Sequence, residues 1–284
     1  MQSGKIAVIT GSTGGIGSAI ADQLAKDEWD LVLVNRNEEK AKQQKVTLEA
    51  AHSDAVIDLV QADLMDIAQI KEAAQKIIGM HPQIDALFNN SGVLTSERVI
   101  SAQGHESNYA VNTLAAYVMT QGLRPALRRD DTVEKTMIVN TTSAAHKAAK
   151  SLDTETLSDP KVIGGLTGAY ATTKLALTTM GVAMADGLRA DGITVRSVCP
   201  GAVVTPMTKT SDAMPGILKL LVPLLFNAPE KQAAKMIHAA RTDSFGGRTG
   251  IYITNGKEKP LPKLAMDQHV QARLMAKLTA DAGL

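Results

Sequence analysis

Short runs of Val, Ile, Leu and Ala alternate with longer stretches in which apolar residues recur every three or four positions, almost from one end of the chain to the other. The short β-branched runs read as buried strands and the longer periodic stretches as helices laid against them. Strands are expected near residues 5 to 10, 31 to 35, 55 to 60, 84 to 88, 135 to 141, 193 to 198 and 249 to 253, with helices between them. This order is that of repeated βαβ units, so the pattern predicts an α/β fold with a doubly wound, mostly parallel sheet and helices on both faces. No linker, repeat or low-complexity tract divides residues 1–284, which predicts a single domain. One stretch breaks the alternation. A Met- and Leu-rich insertion at about 205–240 reads as a lid, and a helical extension is expected at about 264–281.

Composition narrows the partners. The 30 basic and 29 acidic residues leave a net charge of +1, so no global field draws nucleic acid or anionic membrane. Aromatic residues make up only 3%, which leaves few platforms for base stacking and predicts an aliphatic core. The one cysteine, Cys199, lies in an apolar strand-like run and has no partner for an internal disulfide. With no signal-peptide pattern ahead of Ile6, a cytoplasmic setting is the expectation. The longest apolar stretch, Ile217 to Phe226, is interrupted by Lys219 and Pro223 and is too short to span a bilayer.

The candidate chemistry begins at the first strand. Thr10-Gly11-Ser12-Thr13-Gly14-Gly15-Ile16-Gly17 follows that strand and opens a helix, the setting a dinucleotide-binding loop requires. Glycines let the backbone approach a pyrophosphate, and the amides at the helix start attract its charge. Gly11, Ser12, Thr13, Gly15, Ile16 and Gly17 are the candidates here, although the spacing departs from Gly-x-Gly-x-x-Gly. At the end of the second strand, Arg36 stands where an acidic residue would hold an adenosine ribose. Its guanidinium fork suits a 2′-phosphate, so NADP(H) is expected over NAD(H). After the third strand, Asp63 and Leu64 are candidates for the adenine, though an Asp there also reads as a helix cap.

Further on, Tyr170-Ala-Thr-Thr-Lys174 places a phenol and an ammonium on one helix face. A free phenol, with a pKa of about 10, is a poor proton shuttle at neutral pH, and a neighbouring cation is expected to lower it. His146 is an alternative acid/base, read as a solvated loop residue without a partner, and the other histidines show no metal-ligand spacing, so no metal site is expected.

Gly11, Gly15 and Gly17, the Asn89-Asn90-Ser91-Gly92 turn, Ser143, Tyr170 and Lys174 together resemble the short-chain dehydrogenase/reductase family over nearly the whole length. The resemblance implies a single-domain Rossmann fold with a seven-stranded parallel sheet, paired as homodimers or homotetramers through its long fourth and fifth helices. It implies NADP(H) binding by Asn90, Gly92, Pro200, Gly201, Val203 and Thr205, and by Tyr170 and Lys174. It also implies hydride transfer to or from a small-molecule carbonyl or alcohol. In that scheme Tyr170 supplies the proton, Ser143 holds the oxygen, Lys174 holds the ribose and Asn112 orders a water. Two departures stand out: Ser91 replaces the usual alanine, and Tyr170 follows Ser143 by 27 positions, longer than is usual, which leaves Thr141 and Thr142 as neighbouring hydroxyls. The long spacing, Arg36-Asn37-Glu38-Glu39-Lys40 and the Gly250-Ile251-Tyr252-Ile253 ending are similar to the retinol dehydrogenase-like branch, and protochlorophyllide reductases share parts of the pattern. Met207, Met214, Ile217, Leu218, Leu220, Leu221, Leu224, Leu225 and Phe226 suit a hydrophobic substrate, a partner subunit or a membrane surface. A non-catalytic NADP(H)-sensing protein is the competing class.

Overall fold

The computed structural model describes residues 4–129, 135–203 and 226–284. Strand and helix alternate as β1 (Ile6–Thr10), α1 (Gly15–Lys26), β2 (Asp30–Asn35), α2 (Glu38–Ala51), β3 (Ile57–Gln61), α3 (Ile67–Met80) and β4 (Ala86–Asn89). There follow α4 (Ser107–Tyr109), a π-helical turn (Ala110–Leu114) and α5 (Ala115–Leu127), which leads to β5 (Thr136–Thr141). Next come a 3-10 turn (Ala144–Ala148), α6 (Ala169–Ala183), α7 (Ala185–Ala190), β6 (Ile193–Cys199), α8 (Pro229–Ala240) and a second 3-10 turn (Ser244–Gly247). The chain ends with β7 (Ile251–Thr254), β8 (Lys257–Lys259), α9 (Lys263–Met266) and α10 (Gln268–Ala282).

The sheet order is β3-β2-β1-β4-β5-β6-β7-β8, with the chain reversing direction across the sheet between β1 and β4. β1 through β7 are parallel, and β8 adds an antiparallel edge. The sheet thus has eight strands where seven were expected. The eighth is a three-residue charged segment joined to β7 through Asn255 (φ 52°) and Gly256 (φ 70°), a hairpin turn that needs two left-handed residues.

Both faces are packed. Val8 and Leu87 join α3, α5, α6 and α10 on one side, while Ala7, Ile9 and Phe88 join α1, α2 and α8 on the other. Burial on both faces explains why a strand such as β2 is apolar at every position from Leu31 to Val34 rather than alternating. Of the expected lid, residues 205–225 lie outside the described residues. The remainder contains α8, whose Ala233, Met236 and Ala239 pack into the core beside α1. At the other end, α10 docks on α4 and α5 through Tyr109 Oη to Asp281 (2.7 Å) and Tyr117 to Thr279 (2.8 Å).

One charged residue is fully buried in β6. Arg196 donates to the carbonyls of Arg248 (3.0 Å), Ala239 (2.9 Å), Arg241 (2.8 Å) and Ser244 (2.9 Å), and to Ser244 Oγ (2.7 Å). Burial lowers its pKa to about 10, which leaves it charged at neutral pH. It thereby ties the end of α8 and the following turn to the sheet. Arg196→Met would strand these acceptors, so roughly 3 kcal/mol or more of stability should be lost. Urea unfolding checks this, and an unchanged midpoint would contradict the clamp.

Candidate functional site

The glycine loop is shaped by what cannot fit beside it. Gly11 and Gly15 hold φ of +67° and +55°, and a Cβ on Gly17 would lie 2.3 Å from Gly11 O and 2.5 Å from Asn90 Nδ2. Asn90 brackets this loop to the next one, donating from Nδ2 to the carbonyls of Thr10 and Gly11 at 3.1 Å each. Thr10 Oγ1 in turn accepts from the amides of Asn90 (3.0 Å) and Ser91 (3.1 Å). No side chain caps α1 at Gly14, which leaves its first amides to an anion.

These loops open into a cavity of about 640 Å³. It is lined by Gly11, Thr13, Gly15 and Ile16 from the first loop, Arg36, Asp63 and Leu64 at one end, and Asn90 and Gly92 in the middle. Ser143, Tyr170, Lys174, Pro200, Gly201 and Val203 line the other end. It crosses the point between β1 and β4 where the chain reverses, the place where open α/β sheets bind ligands. Thr205 lies outside the described residues. The cradle fits a dinucleotide: glycine backbone for a pyrophosphate, free helix amides and a cation at the ribose end.

Three predicted residues sit off the cavity wall. Ser12 is fully buried: its Oγ donates to Gln44 (2.8 Å) and accepts from Asn35 (2.8 Å), and its amide donates to Asn35 Oδ1 (2.9 Å). It braces the loop from behind. Gly17 acts through packing. Asn112, in the π-helical turn, accepts from Val93 N (2.8 Å) and donates to Val93 O (3.0 Å) and Thr173 Oγ1 (3.2 Å). It joins a cavity-lining loop to α6.

At one end of the cavity, Arg36 extends into solvent, its guanidinium 3.9 Å from Asp63. A pair this exposed is worth little and leaves the fork available. Asp63 also accepts from Met65 N at 3.0 Å, so it is a turn cap as well as a cavity residue. Lys40, missed in the sequence, lines the same end. It lies four residues beyond Arg36 on the first turn of α2, and that spacing was the available signal.

At the other end, Tyr170 and Lys174 project from α6 toward the end of β5. Lys174 is 3% exposed; its Nζ donates to Thr141 O at 2.9 Å and lies 5.9 Å from the Tyr170 ring centroid. Burial lowers the ammonium to about 8. The phenol is pushed up to about 12 by burial, against a smaller lowering by its hydrogen bond with Ser143. The lowered phenol expected from the lysine is therefore absent in the protein alone, because desolvation outweighs a cation held away from the hydroxyl. Ser143 Oγ also accepts from Ala145 N at 3.2 Å, capping the 3-10 turn. His146 corrects another expectation: it is 1% exposed rather than solvated, packed on Tyr252 with ring centroids 4.7 Å apart, and burial lowers it to about 4. A neutral, enclosed imidazole is a poor acid. The long stretch between Ser143 and Tyr170 borders a separate open pocket of about 780 Å³, lined by residues from Lys147 to Thr172. Among the described residues, no cluster of three His, Cys, Asp or Glu side chains is placed to hold a metal.

The sequence profile described as short chain dehydrogenase matches residues 5–154 and 159–216. With this fold and this cavity, the chain belongs to that family, whose members are oxidoreductases acting on alcohol and carbonyl groups. It is 27% identical over 289 residues to the polyprenol dehydrogenase of Danio rerio, covering 100% of this chain and 88% of that protein. It is also 27% identical over 290 residues to human retinol dehydrogenase 13, covering 99% and 85%. These relatives place it with the retinol dehydrogenase-like branch. Among solved structures, a blue fluorescent protein from a metagenomic library in complex with NADPH superposes with a TM-score of 0.70 at 26% identity, covering 89% of this chain and 96% of that one. Among the described residues, no helix is long and apolar enough to cross a membrane.

Proposed function

We propose that this chain transfers a hydride between NADP(H) and the carbonyl or alcohol carbon of a hydrophobic small molecule, with Tyr170 as acid/base. The observation that carries this reading is a single cavity that starts at Arg36 and ends at buried Tyr170 and Lys174. A bound nicotinamide supplies the hydride. Negative charge develops on the carbonyl oxygen as its carbon is reduced, and a donor aimed at that oxygen lowers the barrier. A phenol pushed up to about 12 is fully protonated at neutral pH, so Tyr170 is ready to give its proton in the reducing direction. Ser143 shares a hydrogen bond with that phenol and can hold the same oxygen. Lys174, fixed by Thr141 O, offers its remaining protons to ribose hydroxyls and favours the tyrosinate once the proton has left. Asn112 acts by holding Val93 and α6 in register.

Arg36 and Lys40 at one end of the cavity support the preference for NADP(H). The hydrophobic substrate rests on the apolar residues from Met207 to Phe226 and on the substrates for which the relatives are named, polyprenol and retinol. A cytoplasmic setting rests on the lone buried Cys199. Homo-oligomers remain part of the reading, although within one chain α5 already packs against α3 and α6 against α9 and α10, which buries Ala115–Thr120 and nearly all of Ala169–Gly181. The competing reading, an NADP(H) sensor, is countered by the intact Ser143, Tyr170 and Lys174.

Consumption of NADPH with a panel of aliphatic, aromatic, steroid and retinoid carbonyls tests the chemistry. Tyr170→Phe should lower kcat by about 100-fold or more while NADPH affinity stays nearly unchanged. Equal turnover by the variant would remove Tyr170 from the chemistry, and faster turnover of small polar carbonyls than of long apolar ones would remove the hydrophobic substrate. Arg36→Asp should reverse the cofactor preference, read as the ratio of NADPH to NADH affinity by calorimetric titration; an unchanged ratio would remove the argument for NADP(H).

A further inference from the structure

Ser143 belongs to a turn with little to hold it. Of the 3-10 residues Ala144–Ala148 that follow, His146 alone is buried. Ser143 caps this turn, its carbonyl accepting from His146 N (3.1 Å) and its hydroxyl from Ala145 N (3.2 Å). The position of the Ser143 hydroxyl therefore depends on where the His146 side chain is anchored.

That anchor is shared with the rest of the site. On one side the imidazole packs against Tyr252 of β7, centroids 4.7 Å apart and planes tilted by 58°. On the other, Nδ1 lies 3.5 Å from Thr178 Oγ1 on α6. Thr178 Oγ1 is 2.8 Å from Thr142 Oγ1 and donates to Lys174 O at 2.9 Å, and Thr142 Oγ1 reaches the same carbonyl at 3.1 Å. Thr142 precedes Ser143 in the chain, and Lys174 carries the ammonium. The threonine pair thus ties the start of the turn to α6, and His146 ties its first residues to the same point.

A histidine is an odd choice for simple packing here. Its Nε2 is buried without a hydrogen-bond partner, a cost that an apolar side chain of similar shape would avoid. Neutrality makes the burial tolerable, since burial lowers the group to about 4. What an apolar residue lacks is a polar atom directed at Thr178, which selects one orientation of the turn.

We propose that His146 is a positioning residue: it sets the Ser143 turn against Thr178 and Tyr252, so that the Ser143 hydroxyl and the Lys174 ammonium keep a fixed separation. The activity part of this proposal rests on the reading of Ser143 as a contact of the reacting oxygen. The turn itself is independent of that reading.

The full chain is tested as His146→Ala and His146→Asn, the latter keeping a polar atom near the Nδ1 position. Two measurements are made below the unfolding temperature of each variant. The first is hydrogen exchange at the amides of Ala145 and His146 (or residue 146 of each variant), followed by mass spectrometry or NMR. His146→Ala should raise exchange about tenfold there while the amides of Leu175 to Gly181 stay protected, and His146→Asn should restore most of the protection. The second is reduction of decanal by NADPH. His146→Ala should lower kcat about 30-fold with the KM for NADPH within about twofold, and His146→Asn should recover most of kcat. A purely structural role would lower the unfolding temperature and leave kcat of the folded protein intact. Unchanged exchange in His146→Ala overturns the proposal, as does raised exchange with kcat unaffected. Should the parent protein leave decanal unreduced, the proposed chemistry is what fails, and exchange at the turn alone decides the role of His146.

Discussion

The site depends on a buried ammonium and the one fixed carbonyl that receives it. An ammonium taken out of water is costly unless a polar partner is fixed beside it, and Lys174, 3% exposed, has Thr141 O at 2.9 Å. This contact fixes where the second turn of α6 meets the end of β5. Tyr170 lies four residues earlier on the same helix, so the contact also sets where the phenol enters the cavity. The separation of Ser143 from Tyr170 by a long stretch of chain does not loosen the pair, because Thr142 and Thr178 close that stretch at its base.

The two ends of the cavity are built on different physical terms. At the Arg36 end, charge is exposed: the guanidinium reaches into solvent beside Asp63, where a pair contributes little to stability and is free to exchange partners. At the Tyr170 end, Tyr170, Lys174 and His146 are all buried, and burial pushes each toward its neutral form. The first arrangement suits recognition of a charged group arriving from water. The second suits proton transfer, where small displacements carry large consequences. Between them the glycine loop gives only backbone, since even one methyl on Gly17 has no room.

Much of this was legible in the sequence because parallel strands are covered on both faces and therefore read as unbroken apolar runs, as in Leu31 to Val34. Tyr170 and Lys174 were legible because helical spacing alone places them on one face. β8 was not, since Lys257–Lys259 is short and charged, although the Asn255-Gly256 pair before it was a usable hairpin signal. Ser12 was placed in the cofactor loop but turns away from it, a choice made by Asn35 and Gln44, which lie 23 and 32 positions along the chain. His146 looked like a solvated loop residue for the same reason: its burial depends on Tyr252, over a hundred positions away. The direction of the Tyr170 shift was likewise set by burial, which spacing does not report.

A crystal structure of the full chain grown with NADP+ tests the central claim most directly, that one cavity orients the cofactor from Arg36 to Tyr170. The account predicts the 2′-phosphate beside Arg36 and Lys40, the pyrophosphate over Gly11 to Gly17, and the nicotinamide ring next to Tyr170, with Lys174 on its ribose. A cofactor bound in the reverse direction, or seated in the cavity lined by Lys147 to Thr172, would contradict it.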